Sequence, residues 1–478
     1  MNYVFLFFDQ LRSESLSCYG HPLVKTPNFD RLANEGVRFD QNYTQCVLCS
    51  PSRCSLVTGW YPHVNGHRTL WHLLRPHEPS MFRYLRDNGY HVEMYGKNDI
   101  FSEEYIPLAL DHYEVVRGGR FGANPYDKED PRYYSFKYEA FLGELHETKD
   151  MKCVQKGIDF MNSRKKGDKP FFLYLPIEYP HPPYSAPEPF HSMYKPEDIP
   201  PLRPVDSEQK LPSFHKLMRK YRKLDQNPDE FMKEIHATYL GMVSYSDWIL
   251  GQLLDALDKM DLKDETTVIV SSDHGDFAGD YGLVEKIHNA FYDVTTRVPL
   301  LIRTPGCSAG HVVREQTELF DIMATVLDIS GIEATHTHFA RSLVPQLQGA
   351  SGDRSRAVFA EAGFNSSEKH CFEGHDPSHP TRVEGHIYWP QTMQQQQVPK
   401  SISRTTMIRT LEAKLIRRPD DVHELYDLVN DPLETRNVYD DPAYKKLQDE
   451  LNLSLLDWYI RTSDVVPHND DNRSFPKE

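Results

Sequence analysis

Positive charge is in short supply in this chain. Against 70 Asp and Glu it carries 54 Lys and Arg, a formal net charge of −16. That balance argues against a surface built for nucleic acid and against an anionic membrane. Long apolar runs are missing too, and none approaches the length of a bilayer-spanning helix. The opening residues MNYVFLFFDQLRSE lack the basic start and small-residue cleavage site of a secretory leader, so they read as a buried strand. Cysteine is sparse: seven at scattered positions, an odd number that fits a reducing compartment better than a disulfide framework. The expectation is a cytoplasmic protein with no nucleic-acid or membrane partner. A chain this acidic that handles an anion has to gather its positive charge locally, in one pocket.

The 478 residues, 39% hydrophobic and 26% charged, are enough for a large globular core. Apolar runs at residues 4–8, 91–95, 170–177, 266–270 and 298–302 read as strands. Helical patterns lie between them. Thr26-Pro27 opens a helix carrying Phe29, Leu32 and Ala33 and stopped by Gly36. Residues 81–88 and 319–329 make two more. Residues 229–260 make a long amphipathic one, with Ile235, Tyr239, Met242, Ile249, Leu253 and Leu257 inward. This alternation predicts an α/β fold, a mostly parallel central sheet covered by helices on both faces. Ligands of such sheets bind just beyond the carboxyl ends of the strands. Asp9, Lys97, His181 and the pair Asp273-His274 each directly follow a predicted strand.

Three segments show no such periodicity. Residues 103–135 read as an excursion outside the core, 185–225 as a surface wrap and 363–400 as a long loop. The QQQQ run at 394–397 is too short to signify. Residues 404–416 and 422–428 read as antiparallel strands. Residues 441–462 form a closing helix with Tyr444, Leu447, Leu451, Leu455 and Trp458 on one face. The expected organisation is a catalytic α/β domain over residues 1–355 and a smaller C-terminal α+β domain over 356–478.

The most informative stretch is CVLCSPSRCSLVTG, from Cys46 to Gly59. Ser50 and Pro51 suit a helix start, Leu56 and Val57 an apolar inner face, and Gly59 a helix end. Cys49 then lies at a helix N-terminus, where free N–H groups and the dipole favour an anion, and Arg53 can reach the same point one turn on. A nucleophile, a dipole and an arginine meeting together suit an oxyanion such as sulfate or phosphate. The alternative for Cys46 and Cys49, half a zinc site or a redox pair, lacks a second Cys/His pair at the right spacing.

Cys49-Ser50-Pro51-Ser52-Arg53 followed by Leu56, Thr58 and Gly59 resembles the C-x-P-S-R-x-x-L-x-T-G signature of the formylglycine-dependent sulfatases, members of the alkaline phosphatase superfamily. The resemblance runs over nearly the whole chain, to ELYDL and DPLETRNV near residues 424–437. It implies that Cys49 is oxidised to formylglycine by a maturation enzyme, and that the hydrated aldehyde attacks sulfur. It also implies one divalent ion, calcium or manganese, on Asp9, Gln10, Asp273, His274 and the residue at position 49. Arg53 would hold the aldehyde hydrate, and Lys97 and Lys286 the sulfate oxygens. His181 would serve the leaving oxygen of a small-molecule or glycan sulfate ester. Asp99 stands where many sulfatases have a histidine. His63, His67, Arg68 and His72 either line the substrate pocket or form a polar helix face, and His370, His375 and His379 are further substrate candidates. One departure is Gln10, where most sulfatases have a second acid. The Asp-Gln pair looks like the phosphonate monoester hydrolases, whereas Lys97 and the signature serine point to sulfatases. A non-catalytic anion-binding protein is a third reading, but no nucleophile or metal position of the pattern is missing.

Overall fold

The computed structural model describes residues 1–119, 121–205 and 210–468. Its centre is β1 (Asn2–Phe8), buried at every position after the first. Both its faces are apolar, and helices cover both, which is why the run reads as continuous instead of alternating. The other strands of the main sheet are β2 (Val37–Tyr43), β3 (His91–Tyr95), β4 (His112–Glu114), β5 (Phe171–Ile177), β6 (Thr266–Ser272), β7 (Leu300–Arg303) and β8 (His311–Glu318). Their order is β4-β3-β5-β1-β6-β7-β2-β8. β1 pairs in parallel with β5 and β6. β7 runs antiparallel to both of its neighbours.

Four strands, β2, β4, β8 and Val358–Ala362 of the C-terminal region, escape the sequence reading. VRFDQNY (β2) and HVVREQTE (β8) are polar and lie at one end of the sheet, where burial is partial. A correction applies to residues 103–135, which are not wholly outside the core. Tyr105, Ala109 and Leu110 are buried in it, and β4 extends the sheet beyond β3.

The helices that matter here are α1 (Pro27–Glu35), α2 (Cys49–Thr58), α3 (Met81–Asp87), α4 (Lys149–Ser163), α5 (Ser213–Tyr221), α6 (Asp229–Lys259), α7 (Asp321–Ile329), α8 (Trp389–Gln397) and α9 (Lys445–Thr462). α1 begins with proline, whose missing N–H is no loss there. Its next two N–H groups, of Asn28 and Phe29, are both capped at 2.8 Å by Asp247 of α6. The segment 185–225 is more than a surface wrap, because α5 buries Phe214, His215 and Met218 and packs on α8. Likewise 363–400 is not all loop. α8 carries the whole glutamine run, and Gln394 and Gln395 are buried.

Beyond residue 355 a second sheet forms, in the order β12-β11-β10-β9. Its strands are β9 (Val358–Ala362), β10 (Thr405–Arg409), β11 (Ala413–Arg417) and β12 (Glu424–Asp427), all antiparallel. The single strand expected over 404–416 is a hairpin, closed where the Thr410 N–H donates to Ala413 O at 2.8 Å. α9 covers this sheet with Leu451, Leu455 and Trp458. Among the described residues no helix is long and apolar enough to cross a membrane.

Candidate active site

α2 begins at Cys49 itself and is buried along its whole length, so the expected single inner face is replaced by burial all round. Gly59 ends it in the left-handed region, at φ 70°, with its N–H on Ser55 O at 2.9 Å. Ser52 Oγ donates to Asp273 O at 2.7 Å and meets Thr44 Oγ1 at 2.8 Å, which ties the helix start to the end of β6. Cys49 Sγ thereby lies 3.4 Å from Asp9 Oδ1 and 3.3 Å from His274 Nε2.

Asp9, Cys49, Asp273 and His274 hold their ligating atoms within 4.8 Å of one another, and all four are buried. His274 Nδ1 donates to Gly275 O at 3.0 Å, which leaves the Nε2 lone pair facing Cys49 and the two aspartates. Asp9 and Asp273 turn their Oδ2 atoms to Arg53, at 3.1 and 2.9 Å, and their Oδ1 atoms toward His274. Two inward carboxylate oxygens and one free imidazole nitrogen are donors that suit a divalent cation. Arg53 is 1% exposed and serves these carboxylates, with Nη1 on Tyr174 Oη at 3.2 Å and the Phe7 ring 5.0 Å beneath.

Gln10 sits beside the cluster, and its backbone N–H donates to Asp273 Oδ1 at 3.2 Å. Its side chain is engaged elsewhere: Nε2 donates to Asp276 Oδ2 at 2.6 Å, and Oε1 accepts from Lys286 Nζ at 2.8 Å. Lys286 also meets Glu285 Oε1 at 2.7 Å and His181 Nε2 at 3.0 Å. Lys97 Nζ lies 3.2 Å from Asp9 Oδ2 and 2.7 Å from Asp99 Oδ2.

Charge follows from these contacts. Burial alone would raise the Asp9 carboxyl, but the cations around it, Lys97 first and then Arg53, hold it well below the usual range. Burial first, then Asp9, pushes the Cys49 thiol well above the ordinary value, so the unmodified sulfur keeps its proton. Burial and then the Lys286 ammonium push His181 well below its ordinary value. The imidazole is neutral, donates from Nδ1 to Pro182 O at 2.5 Å, and accepts from Lys286 at Nε2.

These groups open on a cavity of ≈ 420 Å³. Cys49, Lys97, Asp99, His181 and Lys286, all named from the sequence, line it together. His67, Arg68 and His72 do not. His67 is held by Glu78 and by the His72 carbonyl. Arg68 pairs with buried Glu361, and the His72 ring turns to Thr69. His63 also binds Glu361, at 2.7 Å. Buried pairs with Glu78 and with Glu361 of β9 thus engage His63, His67 and Arg68. Of the later histidines, His375 and His379 line the cavity and His370 does not. Trp71, Glu373, Tyr388 and Gln391 line it without having been singled out; the last three come from more than 300 positions beyond Cys49, and no local pattern marks such a meeting. A larger hollow of ≈ 970 Å³, beside Met1 and Lys165 at the opposite end of β1, holds no metal-type cluster of described residues.

Comparison with known proteins agrees with this geometry. The family model described as Sulfatase matches residues 1–332. The model of the N-sulphoglucosamine sulphohydrolase C-terminal region matches residues 386–460. The chain is 27% identical to the multifunctional alkaline phosphatase superfamily protein PehA of Trinickia caryophylli, over 93% of this chain and 91% of that protein. It is 26% identical to an N-acetylglucosamine-6-O-sulfatase of Bacteroides thetaiotaomicron, over 94% and 84%. Among solved structures, the phosphonate monoester hydrolase of Agrobacterium radiobacter shares the fold at a TM-score of 0.77 and 24% identity, over 96% of each chain. A structure in complex with its substrate D-glucosamine-2-N,6-O-disulfate gives 0.72 and 23%, over 98% and 99%. Since the sulfatase model takes in 332 of the 478 residues, around the very groups that meet at Cys49, this chain belongs to the sulfatase family.

Proposed function

We propose that this sulfatase cleaves the S–O bond of a sulfate monoester with Cys49, converted to formylglycine by a maturation enzyme, as its nucleophile. The observation that carries the reading is the meeting of Cys49, at the N-terminus of α2, with Asp9, His274, Lys97, His181 and Lys286 at one cavity. The hydrated aldehyde supplies one hydroxyl to attack and a second whose deprotonation releases sulfate, a route closed to plain cysteine or serine. Asp9, Asp273, His274 and the residue at 49, with Gln10 beside them, would hold one calcium or manganese ion; when bound it supplies positive charge and lowers the pKa of an attacking hydroxyl.

The chain's own residues do the rest. Arg53 fixes the outer oxygens of both aspartates, so their inner oxygens stay aimed at the cluster. Lys97 and Lys286 are ammoniums with three donors each: Lys97, on Asp9 and Asp99, has one left for a sulfate oxygen, and Lys286 would exchange one of its bonds to Gln10, Glu285 and His181 to reach another. His181 is neutral, with its ring proton on Pro182 O and its Nε2 accepting from Lys286, so the imidazole orients the Lys286 ammonium, which is the proton-bearing group of the pair that faces a leaving alkoxide.

Gln10 and the fold of the phosphonate monoester hydrolases favour a second reading, hydrolysis of a phosphonate monoester or phosphodiester. Sulfate presents three non-bridging oxygens. A diester or phosphonate replaces one with carbon or an ester group, so one lysine N–H that a sulfate oxygen would accept loses its acceptor, at a cost of about 1–3 kcal/mol. The test compares kcat/KM for a sulfate monoester and a phosphonate monoester with the same leaving group, on protein whose conversion at Cys49 is verified by peptide mass spectrometry. The sulfate is expected to win by roughly a hundredfold, and Lys97→Ala to narrow that gap. Faster phosphonate hydrolysis by the wild type, or full activity with Cys49 unmodified, would refute the proposal.

A further inference from the structure

Glu373 stands in the segment without sequence periodicity, yet it is one of the most firmly held side chains at the cavity. Its backbone N–H donates to Gln395 Oε1 at 2.7 Å, and its carbonyl accepts from Gln396 Nε2 at 3.1 Å. Its carboxylate Oε1 accepts from Gln391 Nε2 and from His288 Nε2, both at 2.9 Å. Three glutamines of α8 and one histidine therefore fix one residue, and the glutamine run acquires a purpose that its length does not suggest. The other oxygen, Oε2, takes no hydrogen bond from any described residue, and the side chain, 11% exposed, lines the cavity over Cys49. The remaining carboxylates of that cavity are each paired with a lysine: Asp99 with Lys97 and Glu285 with Lys286, both at 2.7 Å. Glu373 presents a fixed acceptor to whatever enters.

Trp71 lines the same cavity. It is 36% exposed, its indole N–H donates to His370 O at 3.2 Å, and its ring lies against His375 at 5.2 Å between centroids. A held carboxylate oxygen together with a held aromatic face matches a hydroxylated ring: hydroxyls donate to the oxygen while the C–H face packs on the indole. An aryl sulfate offers a face without the donors. A quaternary ammonium offers charge without any N–H or O–H.

We infer that Glu373 is the specificity-determining residue of this site, and that its substrate is a sugar sulfate whose hydroxyls donate to Glu373 Oε2. The inference rests on the sulfatase reading above. The probes are N-acetylglucosamine 6-sulfate and a panel of mono- and disaccharide sulfates, 4-nitrophenyl sulfate, and choline O-sulfate, with formylglycine-converted enzyme. Wild type is expected to prefer a saccharide sulfate. The isosteric Glu373→Gln is expected to lower the ratio of kcat/KM on that saccharide to kcat/KM on 4-nitrophenyl sulfate by about tenfold or more. Gln391→Ala, which loosens Glu373 and keeps its charge, should lower the ratio less, in the same direction. A purely structural role would depress both substrates alike and leave the ratio unchanged; that result overturns the inference. So does turnover of the aryl or choline ester with none of any saccharide sulfate, which leaves the sulfatase reading standing. Inactivity on every sulfate ester beside activity on a phosphonate overturns both.

Discussion

Replacing Arg53 by methionine keeps most of the side chain's length and removes only its charge and donors. In the native protein the guanidinium is 1% exposed between two carboxylates that are 0% exposed. After the substitution Asp9 still has Lys97 at 3.2 Å. Asp273 keeps only the N–H groups of Gln10, at 3.2 Å, and His274, at 2.8 Å. Stripping one partner from a buried pair costs about 3–5 kcal/mol, and the surviving lysine places this site toward the lower end, about 3 kcal/mol. Urea unfolding in the presence of a chelator should register that loss as a lower midpoint with an unchanged slope. Added calcium or manganese should stabilise the variant more than the wild type, because the uncompensated carboxylates attract a cation more strongly and binding to the native state adds RT ln(1 + [L]/Kd). A variant within about 1 kcal/mol of the wild type in chelator would show that Arg53 does not hold these carboxylates as argued.

Two further perturbations follow from the same structure. Burial would raise the Glu361 carboxyl, but Arg68 and His63 outweigh it and hold it at about 2; stability from this group is therefore present above its unfolded value, 4.5, and lost as pH falls toward 2, by about 3 kcal/mol in all. The stability gap between wild type and Glu361→Gln should shrink as pH is lowered through that window, and a gap independent of pH would count against the pairing. Gly59→Ala should destabilise by about 2 kcal/mol, because φ of 70° is strained for alanine and its Cβ would stand 2.7 Å from Met323 Cε and 2.9 Å from His338 Cβ; an alanine variant melting with the wild type would refute that account.

Local chemistry along the chain was enough to specify the motif helix, the buried parallel strands and the polar residues at their ends. The reason is geometric: the central parallel strands point their carboxyl ends the same way, so Asp9, Lys97, His181 and Asp273-His274 had to converge whatever the connections between them. Periodicity records how deeply a residue is buried and says nothing about which residue it meets. β2 and β8 were therefore invisible, since half-polar strands near a sheet edge look like loop, and the antiparallel course of β7 left no local trace. His67 and Arg68 fell outside the cavity because Glu78 and Glu361 captured them, the latter from a strand nearly 300 residues on. Partnership over such distances also placed Lys286 against His181 and Gln10. It turned Arg53 to the two aspartates, and it set Glu373 above the nucleophile on a frame of glutamines. Those pairings exist only once the sheet and its covering segments have closed, and tertiary structure alone could decide them.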